Sequence, residues 1–208
     1  MEARMIKPTS DIVFSPVVKE MQEKFGSRGS YAKMDERGGF RDVITDDLVE
    51  FIGARDSFYL ATASADGQPY IQHRGGPKGF LCMLDSKTLA FADYSGNKQY
   101  ITAATLEENN KAYIFLMDYP NRKRVKIWGE AQVVDNDQEL LESLHDPQYK
   151  AKLERVIKFH IKMIDINCPQ HIKPRYTEEE IDSVIENLNE QIKNLKEENK
   201  KLKKEIKS

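Results

Sequence analysis

What most constrains this chain is a series of short strand-like runs between residues 57 and 134, each bounded by turn residues. The runs at 58–63, 70–73, 80–84, 89–94, 112–117 and 125–134 are short and mostly rich in aliphatic and aromatic side chains. Short apolar runs of this kind between turn residues read as strands. Asp66-Gly67 separates the first two and reads as a hairpin turn, because tight hairpins need residues that tolerate positive φ. A further run alternates, with Ile157, Phe159, Ile161 and Met163 on one face. Many short, mostly antiparallel strands leave exposed edges unless the sheet closes on itself. The expected fold is therefore a small β-barrel decorated by segregated helices, of the α+β class.

The helices are marked by their ends. Ser15-Pro16 reads as N-cap and first helical residue, Gly26 as the stop, and Val17, Val18, Met21 and Phe25 as an apolar stripe for packing. A polar loop with Gly38-Gly39 follows. Thr45 then caps a second helix, with Asp46 and Asp47 at its positive end and Leu48, Phe51 and Ile52 facing the core. Residues 98–109 read as a helix with Ile101, Ala104 and Leu106 inward, and residues 138–144 and 147–156 as a helix pair before the last strand.

Two polar segments interrupt the strands, Gln72-His73-Arg74-Gly75-Gly76 and Ser95-Gly96-Asn97-Lys98. Glycines let a ligand approach the backbone, Arg and Lys supply fixed positive charge, and a helix start beside Asn97 would add N–H donors. The expected guest is an anion, a phosphate above all. It has to be held locally, because 32 Lys and Arg against 34 Asp and Glu leave a net charge of −2. Such a balance recruits neither nucleic acid nor an anionic membrane. No apolar run is long enough to cross a bilayer, and residues 1–9 lack the apolar core of a signal peptide. The expected location is the cytoplasm. Cys82 and Cys168 have neither the number nor the spacing of a disulfide framework. Cys168 and His171 lie close together, but two ligands do not make a zinc site, so no metal is expected.

The tail is a separate object. Thr177 and Glu180 form a capping box, after which Ile185, Ile192 and Ile206 fall at heptad position a and Ile181, Leu188, Leu195 and Leu202 at d. β-branched a and leucine d positions favour two parallel strands. Asn199 at a would fix register, and Glu198 at g faces Lys203 at e of a partner. The alternative is a single amphipathic helix lying on the barrel. The expected division is residues 1–44 as helix and loop, 45–176 as barrel and 177–208 as coiled-coil helix.

Three ordered stretches carry a family resemblance over residues 14–175. They are Gly67-Gln68-Pro69-Tyr70-Ile71-Gln72-His73-Arg74-Gly75-Gly76, Phe91-Ala92-Asp93-Tyr94-Ser95-Gly96-Asn97-Lys98-Gln99-Tyr100 and Arg122-Lys123-Arg124-Val125-Lys126-Ile127-Trp128-Gly129. Together they resemble the pyridoxamine 5'-phosphate oxidase-like, FMN-binding split-barrel family. The segment Asn167-Cys168-Pro169-Gln170-His171-Ile172-Lys173-Pro174-Arg175 resembles a bacterial subgroup of it.

The resemblance implies a homodimer of six-stranded antiparallel split barrels with FMN at the subunit interface and a small-molecule substrate. By position it places Gln72, His73, Arg74 and Gly75 beside the flavin, Asn97 and Lys98 on its phosphate, Asp93 near the ribityl chain or ring edge, and Arg124 as a side chain offered by the partner. His73 reads equally as a structural histidine, and Arg124 as part of a solvated basic turn. Cys168, Gln170 and His171 are candidates for covering the substrate cleft. The catalytic residues are not legible. After Arg74 the chain reads Gly75-Gly76-Pro77 where vitamin B6 phosphate oxidases carry a lysine-ending aliphatic strand. Their C-terminal Trp and Arg pair is replaced as well. The expected function is that of an FMN-dependent oxidoreductase, with a vitamin B6 phosphate oxidase or a non-catalytic flavin-binding sensor module as alternatives.

Overall fold

The computed structural model describes residues 7–167 and 169–205. They form two compact units, one within Met1–Asp118 and Lys123–Pro169, the other within Tyr119–Arg122 and Gln170–Ser208.

The first unit begins with a 3-10 turn, Thr9–Ile12, and three helices, α1 (Pro16–Lys24), α2 (Arg28–Asp35) and α3 (Asp46–Gly53). Strands β1 (Ser57–Ala63), β2 (Pro69–Gly75), β3 (Leu81–Asp85) and β4 (Thr88–Tyr94) lead to helix α4 (Ile101–Glu108). Strands β5 (Lys111–Asp118) and β6 (Lys123–Val134), the short helix α5 (Gln138–Ser143) and the long strand β7 (Leu153–Asn167) complete it. The strands make one antiparallel sheet in the order β2-β1-β5-β6-β7-β4-β3.

Two features of the expected barrel are corrected. The sheet has seven strands where the resemblance implied six, and no ladder among the described residues closes it. Among the described residues β2 pairs only with β1, and β3 only with β4. The sheet nevertheless curls. Phe58 of β1 meets Phe91 of β4 edge to face at 5.0 Å, although three strands separate them in the sheet, and stacks on Phe80 at 5.4 Å. Phe58, Leu60, Ile114, Leu116, Ile127, Phe91, Ile157 and Phe159 fill the concave side, each 0 or 1% exposed. Hydrophobic burial thus curls the sheet and leaves a split between β2 and the β4 end.

Two glycines serve the sheet. Gly67 takes φ 89 in the β1–β2 turn, as its hairpin role requires. Gly129 sits at the β6–β7 bulge, where a Cβ would lie 2.2 Å from the His160 carbonyl and 2.4 Å from the Phe159 ring.

The helical readings hold in part: α3 buries Leu48 and Ile52 as expected, although Thr45 at its N-cap makes no side-chain capping bond, whereas α1 and α4 depart from their readings. Ser15 accepts the Val18 N–H and Pro16 opens α1. Its apolar stripe does not pack, however, for Val17 is 65% and Phe25 70% exposed, and the residue it buries is Gln22. A polar network explains the rotation. Gln22 accepts from Arg28 at 2.9 Å, Arg28 pairs with Asp35, and buried Ser10 donates to the same carboxylate. Burial opposes ionisation of Asp35, but Ser10 and Arg28 together hold its carboxyl below the usual range. In α4, Thr102, Thr105 and Leu106 face inward in place of Ile101 and Ala104. The Thr105 hydroxyl is hydrogen-bonded to that of Thr62 on β1 at 2.9 Å. The expected helix at 147–156 is absent, because residues 153–156 pair with β4 as the start of β7.

The second unit carries α6 (Glu178–Glu205). The Thr177 N–H donates to Glu180 at 2.8 Å and the Glu180 N–H to the Thr177 hydroxyl at 3.3 Å, the reciprocal capping box expected. Ile181, Ile185, Leu188, Ile192, Leu195 and Leu202 are 47 to 60% exposed. Ile206 lies outside the described residues. Arg175 stacks on the Tyr119 ring at 4.9 Å.

Candidate functional site

The split in the sheet holds a cleft. Strand alternation puts Gln72 and Arg74 of β2 opposite Leu60 and Phe58 in the ladder, and so on the concave face. Asp93 comes from β4, and Arg74 Nη1 reaches across the split to pair with its Oδ1. Both side chains are mostly buried, at 12% and 15% exposure. The Arg74 guanidinium also lies 5.9 Å from the Phe91 ring centre, and its Nε is buried with no hydrogen-bond partner. Gln72 Oε1 accepts from the Thr102 hydroxyl at 2.9 Å, which ties β2 to the first turn of α4.

The opposite wall is the loop from Ser95 to α4. The helix starts at Ile101, three residues later than expected, because Lys98 and Tyr100 take left-handed φ values of 59 and 55. Asn97 Oδ1 accepts the Gln99 N–H at 3.2 Å and braces the turn. Asn97 and Lys98 are solvent-exposed at the rim, and Ile101, Thr102 and Ala103 bring the helix N-terminus to the wall. A helix N-terminus favours a bound anion through unpaired N–H groups and the helix dipole. Glu154 of β7 lines the far side. The Ser95 hydroxyl holds the Glu154 carboxyl below the usual range, helped by the Arg155 and Lys98 charges against the cost of burial. The cleft is partly open to solvent and offers about 50 Å³ of space.

Five expected residues, Gln72, Arg74, Asp93, Asn97 and Lys98, thus line one cleft. The others lie elsewhere. His73 is on the convex face, where its ring meets Tyr59 edge to face at 5.6 Å, and Gly75 sits against that imidazole. Arg124 is on the same face, beside Met117 in the ladder, with a buried Nε that has no hydrogen-bond partner. This face carries a half-buried row formed by Tyr59, Phe115, Tyr113 and Trp128, the last pair 4.7 Å apart. Burial and the nearby Asp165 carboxylate push the Tyr113 phenol up to about 12. Cys168 lies outside the described residues. Gln170 and His171 belong to the second unit and are exposed, His171 with φ 63.

The sequence profile described as pyridoxamine 5'-phosphate oxidase matches residues 44–168, well over half the chain. The chain belongs to the pyridoxamine 5'-phosphate oxidase family. None of the curated proteins matches significantly. Among solved structures, HupZ of Group A Streptococcus is similar at TM-score 0.47 and 18% identity, with 64% of this chain and 99% of that one covered. An FMN-binding protein from Syntrophomonas wolfei is similar at 0.45 and 18%, covering 71% and 97%. A general stress protein 26 relative from Clostridium acetobutylicum is similar at 0.46 and 14%, covering 62% and 93%.

The matched region of the oxidase family contains every residue of the cleft and ends before α6. Among the described residues no group of three His, Cys, Asp or Glu side chains could hold a metal ion. No described helix is long and apolar enough to cross a membrane. Arg155, which sits behind Asp93, escaped the sequence reading because 147–156 reads as a helix. The alternation of β7 stops at Val156-Ile157, so it is the pairing of Arg155 with Asp93 of β4, and no sequence signal, that places Arg155 on a strand.

Proposed function

We propose that this member of the oxidase family binds FMN by its phosphate at the split and works as a cytoplasmic, homodimeric FMN-dependent oxidoreductase on a small molecule. The observation that carries the reading is Arg74, a mostly buried guanidinium lining a cleft of about 50 Å³ with an Nε that has no partner. A buried charged donor without a partner is costly, and a phosphate oxygen satisfies it. Arg74 grips two oxygens with its fork, while Lys98 acts as a point charge from the rim. Asn97 and the first turn of α4 add neutral donors. Gln72, with its Oε1 occupied by Thr102, offers its amide nitrogen.

The size of the cleft supports a dimer. Whole-cofactor pockets run from about 300 to 1,000 Å³, so this one takes the phosphate and the flavin ring lies outside it. A second copy is the fitting cover. The row of Tyr59, Phe115, Tyr113 and Trp128 offers a face for it, and Arg124 on that face is then available to the partner's flavin. The half-exposed apolar seam of α6, with Asn199 at a, supports pairing of the tails as well. When bound, FMN supplies reversible hydride acceptance, and the protein supplies orientation and local charge.

The first test is the visible spectrum of the freshly purified protein, with the released chromophore identified by mass. FMN is the expected result. A colourless protein that also fails to bind added FMN overturns the proposal. Steady NAD(P)H-dependent oxygen uptake by the FMN-loaded protein is expected of an enzyme, and a flavin that stays bound but is never reduced argues for a sensor module.

A further inference from the structure

Arg155 stands directly opposite Asp93 in the β4–β7 ladder. Its Nε lies 3.6 Å from Asp93 Oδ2, and Arg74 occupies the other oxygen, Oδ1. One carboxylate is thus shared by two guanidiniums from opposite sides of the split. All three side chains are mostly buried, Arg155 at 18% exposure. Arg155 Nη2 also lies 3.4 Å from Glu154 Oε2, and its guanidinium covers the ring of Tyr100 at 5.2 Å. Tyr100 is the left-handed N-cap residue just before α4, and the Ser95 N–H donates to the Lys152 carbonyl at 2.8 Å. The start of β7 therefore holds both ends of the anion loop. Like Arg74, Arg155 keeps a buried Nε without a hydrogen-bond partner.

The charges decide what this arrangement does. Arg74, Lys98 and Arg155 face Asp93 and Glu154, which leaves one positive charge at the cleft. Without Arg155, Asp93 and Glu154 would cancel Arg74 and Lys98, and Asp93 would hold Arg74 for itself. We infer that Arg155 is a positioning residue for the anion site: by engaging the far oxygen of Asp93 and stacking on Tyr100, it frees Arg74 and the 95–100 loop to bind a phosphate monoester. This rests on the FMN reading and adds the device that makes the site prefer a phosphorylated flavin.

The test measures dissociation constants of FMN and riboflavin by fluorescence quenching, on dimeric full-length protein. Variants Arg155→Met, Arg155→Lys, Asp93→Asn and the double variant Asp93→Asn/Arg155→Met are compared, with thermal melts of each. Arg155→Met is expected to weaken FMN binding roughly tenfold or more while leaving riboflavin nearly unchanged. Arg155→Lys keeps the charge and is expected to retain most of the preference. The decisive arm is the double variant, which restores the positive balance and is expected to bind FMN more tightly than Arg155→Met alone. A purely structural role predicts instead that riboflavin affinity and melting temperature fall together with FMN affinity, since a damaged site loses every ligand. If Arg155→Met does not fold, Arg155→Lys and the double variant still decide. An undiminished FMN preference in Arg155→Met, or a double variant no better than it, overturns the inference and leaves the FMN reading intact. Wild-type protein that binds no FMN overturns both.

Discussion

The curled sheet and helix α6 have equally regular apolar patterns and opposite fates. Along β1 and β5 the inward side chains Phe58, Leu60, Ile114 and Leu116 are 0 or 1% exposed, whereas the apolar seam of α6 keeps roughly half its surface in solvent. Period tells which side chains share a face, and does not tell what covers that face. In the sheet the cover is the other end of the same sheet, brought round by Phe58, Phe80 and Phe91. For α6 it is whatever meets the seam, which in the function proposed above is a second copy. The cleft stands between these cases, since its inner wall is core-like and its rim at Lys98 is open.

The comparison breaks if the sheet tolerates losses as easily as the helix. Phe58→Ala removes a ring from the point where the two ends of the sheet meet. It is expected to cost about 3 to 5 kcal/mol, read as a drop in melting temperature. A loss under about 1 kcal/mol would mean that the split, and not the core, absorbs the change. Next in size, Arg74→Ala/Lys98→Ala strips two charge-assisted contacts and should weaken FMN binding roughly a hundredfold or more. Full affinity in that variant would put the phosphate elsewhere. Ile192→Ala is expected to leave the melting of the first unit within about 0.5 kcal/mol of wild type. It should, however, weaken self-association of the full chain in sedimentation, and a clear drop in melting temperature without loss of association would contradict the unpaired seam.

The smallest effect expected is in acid. The depressed carboxyl of Asp35 contributes stability that is present above its unfolded value of 3.8 and lost as pH falls through its folded value. Asp35→Asn should remove that increment and flatten the stability profile below about pH 4. An unchanged acid limb would mean that the Ser10–Asp35–Arg28 network carries no net stabilisation.

Much of the fold was legible because its signals are local. Ser15-Pro16, Asp66-Gly67 and the Thr177–Glu180 capping box act within a few residues, and each does what its chemistry dictates. Seven strand-like runs became seven strands, although the resemblance argued for six. Four of the five cleft residues were legible in two glycine-bearing cationic segments and the fifth, Asp93, only through the family resemblance, but their meeting across the split was not. The exposed stripe of α1 was misread because Gln22 follows Arg28 and Asp35 inward. The α4 start was misplaced because left-handed residues at Lys98 and Tyr100 leave no mark in composition. Arg155 was missed because its meaning lies in its register against Asp93, 62 positions earlier in the chain, which no local pattern encodes.

By itself, then, the sequence determined which residues alternate, where helices start and which side chains carry charge. Those properties rest on backbone sterics, capping and solvation over a few residues. Only the tertiary structure decided that the sheet would curl without closing, that Arg74 and Arg155 would share Asp93, and that His73 and Arg124 would stand on the other face. Those outcomes depend on strand register and on burial summed over the whole sheet, where one residue of slip exchanges the two faces.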